Sequence, residues 1–186
     1  MPTYISLLRG INVSGQKIIK MAALKKMYED LKFEHIQTYI QSGNVIFQTS
    51  KTKKEYLETL ISNQIKSDFG FEVPVIILDI EELKEILNNN PYSGDTKKDI
   101  SHLGITFLSS KPELANLQLI KQKQAEGEEF ILINKSVYLY CPEGFGKTKL
   151  TNAFIESKLQ VRATARNWKT ANELLRIAEN LKINLA

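Results

Sequence analysis

The sequence predicts an α+β protein made of two tandem ferredoxin-like units, each β-α-β-β-α-β with an antiparallel sheet. Three observations predict it. Short apolar runs such as Val73-Pro-Val-Ile-Ile-Leu78 are bounded by turn formers, and apolar residues recur at every third or fourth position in longer stretches, so strands are interspersed with amphipathic helices. The element order β-α-β-β-α-β-α is read twice along the chain. Between the two readings lies Asn88-Asn-Asn-Pro-Tyr-Ser-Gly-Asp95, polar and rich in turn formers. The expected division is therefore 1–95, a first unit with a short linker helix, and 96–186, a second unit with a C-terminal helix.

Thr3 to Leu8 reads as a strand and Gly10 to Gly15 as a loop. Leu24, Met27, Tyr28 and Leu31 follow the i, i+3, i+4, i+7 spacing of a helix over about 21–32. Residues 35–41 and 44–49 read as two strands around Ser42-Gly43, a tight-hairpin signal. Leu57, Leu60, Ile61 and Ile65 stripe the next helix, Val73 to Leu78 is a strand, and Glu81 to Asn88 is a short helix. In the second half Gly104 to Leu108 is a strand, and Pro112 opens a helix striped by Leu114, Leu117 and either Ile120 or Lys121. Phe130 to Ile133 and Ser136 to Cys141 form a hairpin across Asn134-Lys135. Leu150, Ala153 and Phe154 are assigned to a helix, Val161 to Ala165 to a strand, and Leu174, Leu175, Ala178 and Leu181 stripe the last helix. Each sheet carries helices on one face and leaves the other to be covered. Ligand sites are expected between the units or where strands run into helices.

Composition excludes several classes. The 186 residues are 42% hydrophobic and 25% charged, enough for a core without staples. The single cysteine, Cys141, cannot form an internal disulfide. The longest apolar runs are far too short to span a bilayer, and the first residues lack a signal peptide's basic and apolar regions. A reduced, cytoplasmic protein is expected, with no membrane partner. The net charge of +4 is uneven, because residues 147–182 hold 8 Lys/Arg against 3 Asp/Glu. A basic surface of this kind attracts phosphates, nucleic acid or other anions, although a pair of solvated helix faces gives the same count.

Four segments carry more hydrogen-bonding groups than turns require. Arg9-Gly-Ile-Asn-Val-Ser-Gly-Gln-Lys17 joins a strand to a helix, and its two glycines with Asn12, Ser14 and Lys17 offer backbone N–H groups and a cation to an anion, with Arg9 as a further charge. It also reads as a turn capped by its own Asn and Ser. Gln41 and Asn44 flank the Ser42-Gly43 turn, where their amides need partners. Cys141-Pro-Glu-Gly-Phe-Gly-Lys-Thr-Lys149 approaches a P-loop but has cysteine where the first glycine belongs, which leaves Lys147 and Lys149 a weaker anion role. Thr164-Ala-Arg-Asn-Trp-Lys-Thr170 follows the last strand. There Arg166 can supply charge and Trp168 can stack a planar ligand; alternatively Asn167 is a helix N-cap and Trp168 a core anchor. The candidate ligand-binding set is Arg9, Asn12, Gln41, Asn44, Lys147, Lys149, Arg166, Asn167 and Trp168. No catalytic residue, metal site or cofactor is assigned, since the two histidines lie apart and Cys141 ends an apolar strand. The expected activity is binding of an anionic small molecule or nucleic acid. An enzyme with a pocket between the units, or an oligomerisation module using a sheet face or edge strand, are the alternatives.

Leu8-Arg-Gly-Ile-Asn-Val-Ser-Gly15, Thr38-Tyr-Ile-Gln-Ser-Gly-Asn-Val-Ile-Phe47, Asn90-Pro-Tyr92 and Ala163-Thr-Ala-Arg-Asn-Trp-Lys-Thr170 occur in that order, with Lys149-Leu-Thr151 near the end. With these strings the chain resembles a bacterial family known as domain of unknown function number sixteen-ninety-seven. Ser14 and Lys169 stand where glycine and asparagine are commoner. The resemblance implies a tandem of ferredoxin-like modules and brings no activity, cofactor or catalytic residue.

Overall fold

Eight strands and six helices alternate in the computed structural model, which describes residues 1–51, 53–113 and 117–183. The first half runs β1 (Thr3–Leu8), α1 (Met21–Asp30), β2 (Glu34–Tyr39), β3 (Asn44–Gln48), α2 (Lys54–Phe69), β4 (Val75–Asp79) and α3 (Ile80–Asn88). A single 3-10 turn, Ile100–His102, leads into the second half. It runs β5 (Leu103–Leu108), α4 (Leu117–Lys121), β6 (Glu129–Ile133), β7 (Ser136–Tyr140), α5 (Asn152–Leu159), β8 (Ala163–Asn167) and α6 (Trp168–Ile183). The two antiparallel sheets have the same order, β2-β3-β1-β4 and β6-β7-β5-β8, so the fold is two ferredoxin-like units in tandem. By compactness Met1–Glu85 groups with Glu173–Ala186, and Ile86–Asn172 forms the second unit.

In the first unit, α1 and α2 bury Leu24, Met27, Tyr28, Leu57, Ile61 and Ile65 against Tyr4, Leu8, Val45, Phe47, Val75 and Ile77 of the sheet. Aromatic rings fill the centre: Phe33 stacks on Phe47 with centroids 4.5 Å apart, and Tyr28 meets Phe47 edge-on. The Tyr28 hydroxyl donates to Ser6 Oγ at 2.8 Å, which satisfies the polar atoms of that layer, and burial pushes its pKa well up. In the second unit Leu108, Phe130, Val137 and Leu139 pack against Ile120, Leu150, Ile155 and Leu159.

Register matches between the halves. Ile5 pairs with Ile46 and Leu78, while Ile105 pairs with Tyr138 and Arg166. The Leu8 N–H donates to Gly43 O and the Leu108 N–H to Lys135 O, each closing its hairpin onto the central strand. The Arg9 N–H reaches Pro74 O, and the Ser109 N–H reaches Arg162 O.

The structure departs from the sequence reading in four places. The first hairpin is closed by four residues, Ile40 to Gly43, with Ile40 at φ 48° and Gly43 at φ 80°. Its strand β2 carries a register shift between Glu34 and Gln37, with His35 at φ 52°. The helix expected from Pro112 is seen from Leu117, and Leu114 lies outside the described residues. Leu150 is buried ahead of α5, whose N-cap Thr151 accepts from the Phe154 N–H, so the inward residues are Ile155 and Leu159. Finally β8 runs two residues further than periodicity suggests, because its pairing with β5 continues to Asn167 opposite Gly104.

Candidate functional site

Asn12 is the hub of the first polar loop. Its Oδ1 accepts the Ile19 N–H at 2.9 Å, and its Nδ2 donates to Ile19 O and to Gln41 O at 2.9 Å. One side chain thus closes the loop on itself and ties it to the Ile40–Gly43 turn. The backbone around it is left-handed at Gly10, Asn12, Ser14, Gly15 and Lys17. Non-glycine residues in that region carry strain, about 1–3 kcal/mol each, which the surrounding bonds must hold in place. Asn44 is fully buried and donates to Tyr39 O and Ser42 Oγ, fixing the other side of the turn. Asn12 and Asn44 are therefore scaffold for this surface. The Gln41 side chain and Lys17 are exposed, Arg9 is half-buried, and Lys17 Nζ also donates to Glu72 O.

Three aliphatic side chains stand out of this surface: Val13, Ile18 and Ile40, at 56%, 59% and 48% exposure. They adjoin Asn12, Ile19 and Gln41, the three residues that the Asn12 amide joins. Arg9, Lys17 and Lys20 lie in the same segment, and residues 1–28 hold five Lys/Arg and no Asp/Glu. That acid-free stretch is legible in the sequence and is hidden when the first half is counted whole, because its acids fall later.

In the second unit, the loop after β7 and the junction after β8 both lie where β5 begins. Gly104 pairs with Leu139 and Asn167, and a Cβ on Gly104 would sit 2.8 Å from the Phe145 ring. Phe145 thus folds its loop onto the start of β5. Lys147 is exposed and ion-paired with Glu143 at 3.0 Å, and Lys149 is exposed. The loop does not feed a helix directly, since α5 starts at Asn152. Arg166 belongs to the strand and is 8% exposed, with Nη1 donating to Ala165 O at 2.8 Å. Burial pulls its pKa down to about 10, which still leaves it charged at neutral pH. Asn167 Oδ1 accepts the Thr170 N–H at 2.7 Å and caps α6, as its alternative reading has it. Trp168 opens that helix and is half-buried.

The structure gathers Arg9, Asn12, Gln41 and Asn44 at the end of β1, and Lys147, Lys149, Asn167 and Trp168 at the start of β5. In the shared topology these are opposite ends of equivalent sheets. Part of the C-terminal charge has acidic partners: Lys147 with Glu143 and Arg176 with Glu173 nearby in the chain, and Lys182 with Glu81 of α3. Asn90-Pro-Tyr92 serves the fold: Asn90 Oδ1 accepts the Tyr92 N–H, and Tyr92 is buried. Lys98 Nζ sits over the Tyr92 and Tyr140 rings and pairs with Glu129, pinning the connecting segment.

No group of three His, Cys, Asp or Glu side chains suited to a metal occurs among the described residues. Cys141 is buried, and burial first, then the Glu128 charge, pushes its thiol up to about 11, so it holds little thiolate at neutral pH. No described helix is long and apolar enough to cross a membrane.

No curated protein matches the chain. The solved structure of conserved bacterial protein SP0830 from Streptococcus pneumoniae is similar, with a TM-score of 0.70 and 23% identity. The alignment covers 95% of this chain and 98% of that one, and at this identity it speaks for the fold alone. The model of a family described as protein of unknown function, DUF1697, matches residues 1–138, and the chain belongs to that family.

Proposed function

We propose that the protein binds an anionic ligand, a phosphate-bearing molecule or nucleic acid, at the Arg9–Lys17 loop and the adjoining Ile40–Gly43 turn. The observation that carries this reading is the Asn12 clasp, which holds a left-handed, acid-free loop against the turn that bears Gln41. Arg9, Lys17 and Lys20 supply charge, Gln41 orients, and Asn12 and Asn44 keep the surface in shape. The N–H groups of Ser14 and Gly15 donate to no acceptor among the described residues, which suits an anion-binding nest. The exposed Val13, Ile18 and Ile40 favour a ligand with an apolar part over a bare inorganic anion. Lys147, Lys149 and Trp168 are proposed as a second, C-terminal contribution, with Trp168 stacking and Lys149 pairing with phosphate, while the buried Arg166 and the cap Asn167 hold the strand-to-helix junction in place. We read the halves 1–95 and 96–186 as copies of one ancestral unit, which the matched strand order and hairpin bonds support.

Thermal-shift and calorimetric titration with nucleotides, inorganic pyrophosphate and short oligonucleotides at low salt tests the reading. Binding is expected to weaken steeply with added salt and to fall in Arg9→Ala and Lys17→Ala, with the melting temperature little changed. Absence of a shift with every member of that panel at low salt would overturn it.

A further inference from the structure

We propose that the protein self-associates through β6, two copies pairing antiparallel about a two-fold axis at Ile131. β6 is an edge strand, Glu129-Phe-Ile-Leu-Ile133, with neither proline nor lysine and an unbroken register against β7. Such an edge presents a row of backbone groups that template another strand. The topological equivalent in the first unit, β2, is interrupted by its register shift and by left-handed His35, a common way of blunting an edge.

The bonds between β7 and β5 fix which groups of β6 face outward. The Cys141 N–H donates to His102 O, and Lys135 O accepts from the Leu108 N–H, so odd-numbered residues of β7 bond to β5. Even-numbered Ser136, Tyr138 and Tyr140 therefore bond to Ile133, Ile131 and Glu129. Phe130 and Leu132 are left with N–H and C=O groups pointing away from the sheet. A register that sets Phe130 opposite the partner's Leu132 uses all of these groups in four backbone hydrogen bonds. Shifting by two residues either way requires the Glu128 N–H, already donated to Ala125 O, or the left-handed Asn134.

The occupant is a second copy because the strand complements itself. The outward groups of Phe130 and Leu132 lie symmetrically about Ile131, so a second copy of the same strand meets all of them, and pairing brings no like charges together across these three residues. Ile131, 38% exposed, meets its own copy at the axis in a non-hydrogen-bonded pair. β6 lies outside the loops proposed to bind an anion, so pairing through it is independent of ligand binding there.

Sedimentation of the full chain is expected to show a reversible dimer with a dissociation constant between about 1 μM and 1 mM, the weak end of specific interfaces. Ile131→Lys sets like charges at the axis, and Leu132→Pro removes an outward N–H that β7 does not use. Each is expected to raise the constant at least about tenfold, with unchanged circular dichroism. Ile131→Cys is expected to oxidise to a covalent dimer, because residues at the axis have Cα atoms about 4.5 Å apart. Lys135→Cys, in the hairpin turn and in line with β7 rather than at the open edge, is expected not to, and the native Cys141 is buried. A wild-type chain monomeric at about 1 mM, or a dimer that survives Ile131→Lys and cross-links through Lys135→Cys alone, would overturn the proposal.

Discussion

Asp79 and Asn167 hold the same place in the two halves. Each is the last residue of its unit's fourth strand, each lies beside the central strand, and each caps the helix that follows. Asp79 Oδ1 accepts the Glu82 N–H at 2.9 Å, and Glu82 Oε2 accepts the Asp79 N–H in return, a capping box. Asn167 accepts the Thr170 N–H at 2.7 Å. The first half adds a charge that the second lacks, since Lys54 Nζ lies 2.9 Å from Asp79 and 2.7 Å from Glu82.

That difference predicts a pH effect. Burial alone would raise the Asp79 pKa, but the Glu82 N–H and the Lys54 ammonium outweigh it and hold the carboxyl below its ordinary 3.8. A lowered carboxyl pKa stabilises the fold above the unfolded value, and that contribution is lost as pH falls through the folded one. Asp79→Asn is expected to keep the cap, as Asn167 does, and to flatten the stability profile below about pH 4. Urea unfolding at pH 7 and at pH 3 checks this. An unchanged acid limb would remove Asp79 from the account.

Gly43 faces a rigid wall. A Cβ there would lie 2.7 Å from Leu8 Cβ and 2.9 Å from the Ile11 side chain, at a φ of 80°. Gly43→Ala is expected to cost about 2–4 kcal/mol, from the left-handed backbone and overpacking together. Gly94 has a φ of 86° and nothing within 4 Å, so Gly94→Ala should cost only about 1–2 kcal/mol. Chemical denaturation of the pair separates the steric part from the backbone part.

Asn12→Ala removes one acceptor and two donated bonds and leaves the buried Ile19 N–H and C=O without them. The expected loss is about 2–3 kcal/mol, the scale of unsatisfied buried polar groups. Hydrogen exchange should speed up at Ile19 while β5 to β8 keep their protection. Uniform acceleration across both sheets would show that the loop is not a local clasp.

Gly104 and Phe145 should be coupled. Gly104→Ala pushes against the Phe145 ring at 2.8 Å, a ring that is 37% exposed and free to swing outward. A loss of about 1 kcal/mol is expected in the native background. With Phe145→Ala the same change should turn mildly stabilising, because alanine suits a strand interior better than glycine. A double-mutant cycle with a coupling near zero would contradict the packing.

The sequence by itself determined the element order, the tandem repeat and the inert setting of Cys141. These follow from periodicity and turn chemistry, which act between neighbours in the chain. It also offered Asn167 as a cap, since the three-residue reach of an N-cap is local. Pairing between distant strands decided the rest. Arg166 reads as an exposed cation after a strand, yet β8 continues opposite Ile105 and buries it. Asn12 reads as an anion-site residue or as a cap of its own turn, yet its bond to Gln41 spans 29 residues and makes it scaffold between two loops. Which loops share an end of a sheet depends on strand order, and strand order is fixed by burying both faces of β1 and β5, a long-range condition that no window of residues contains.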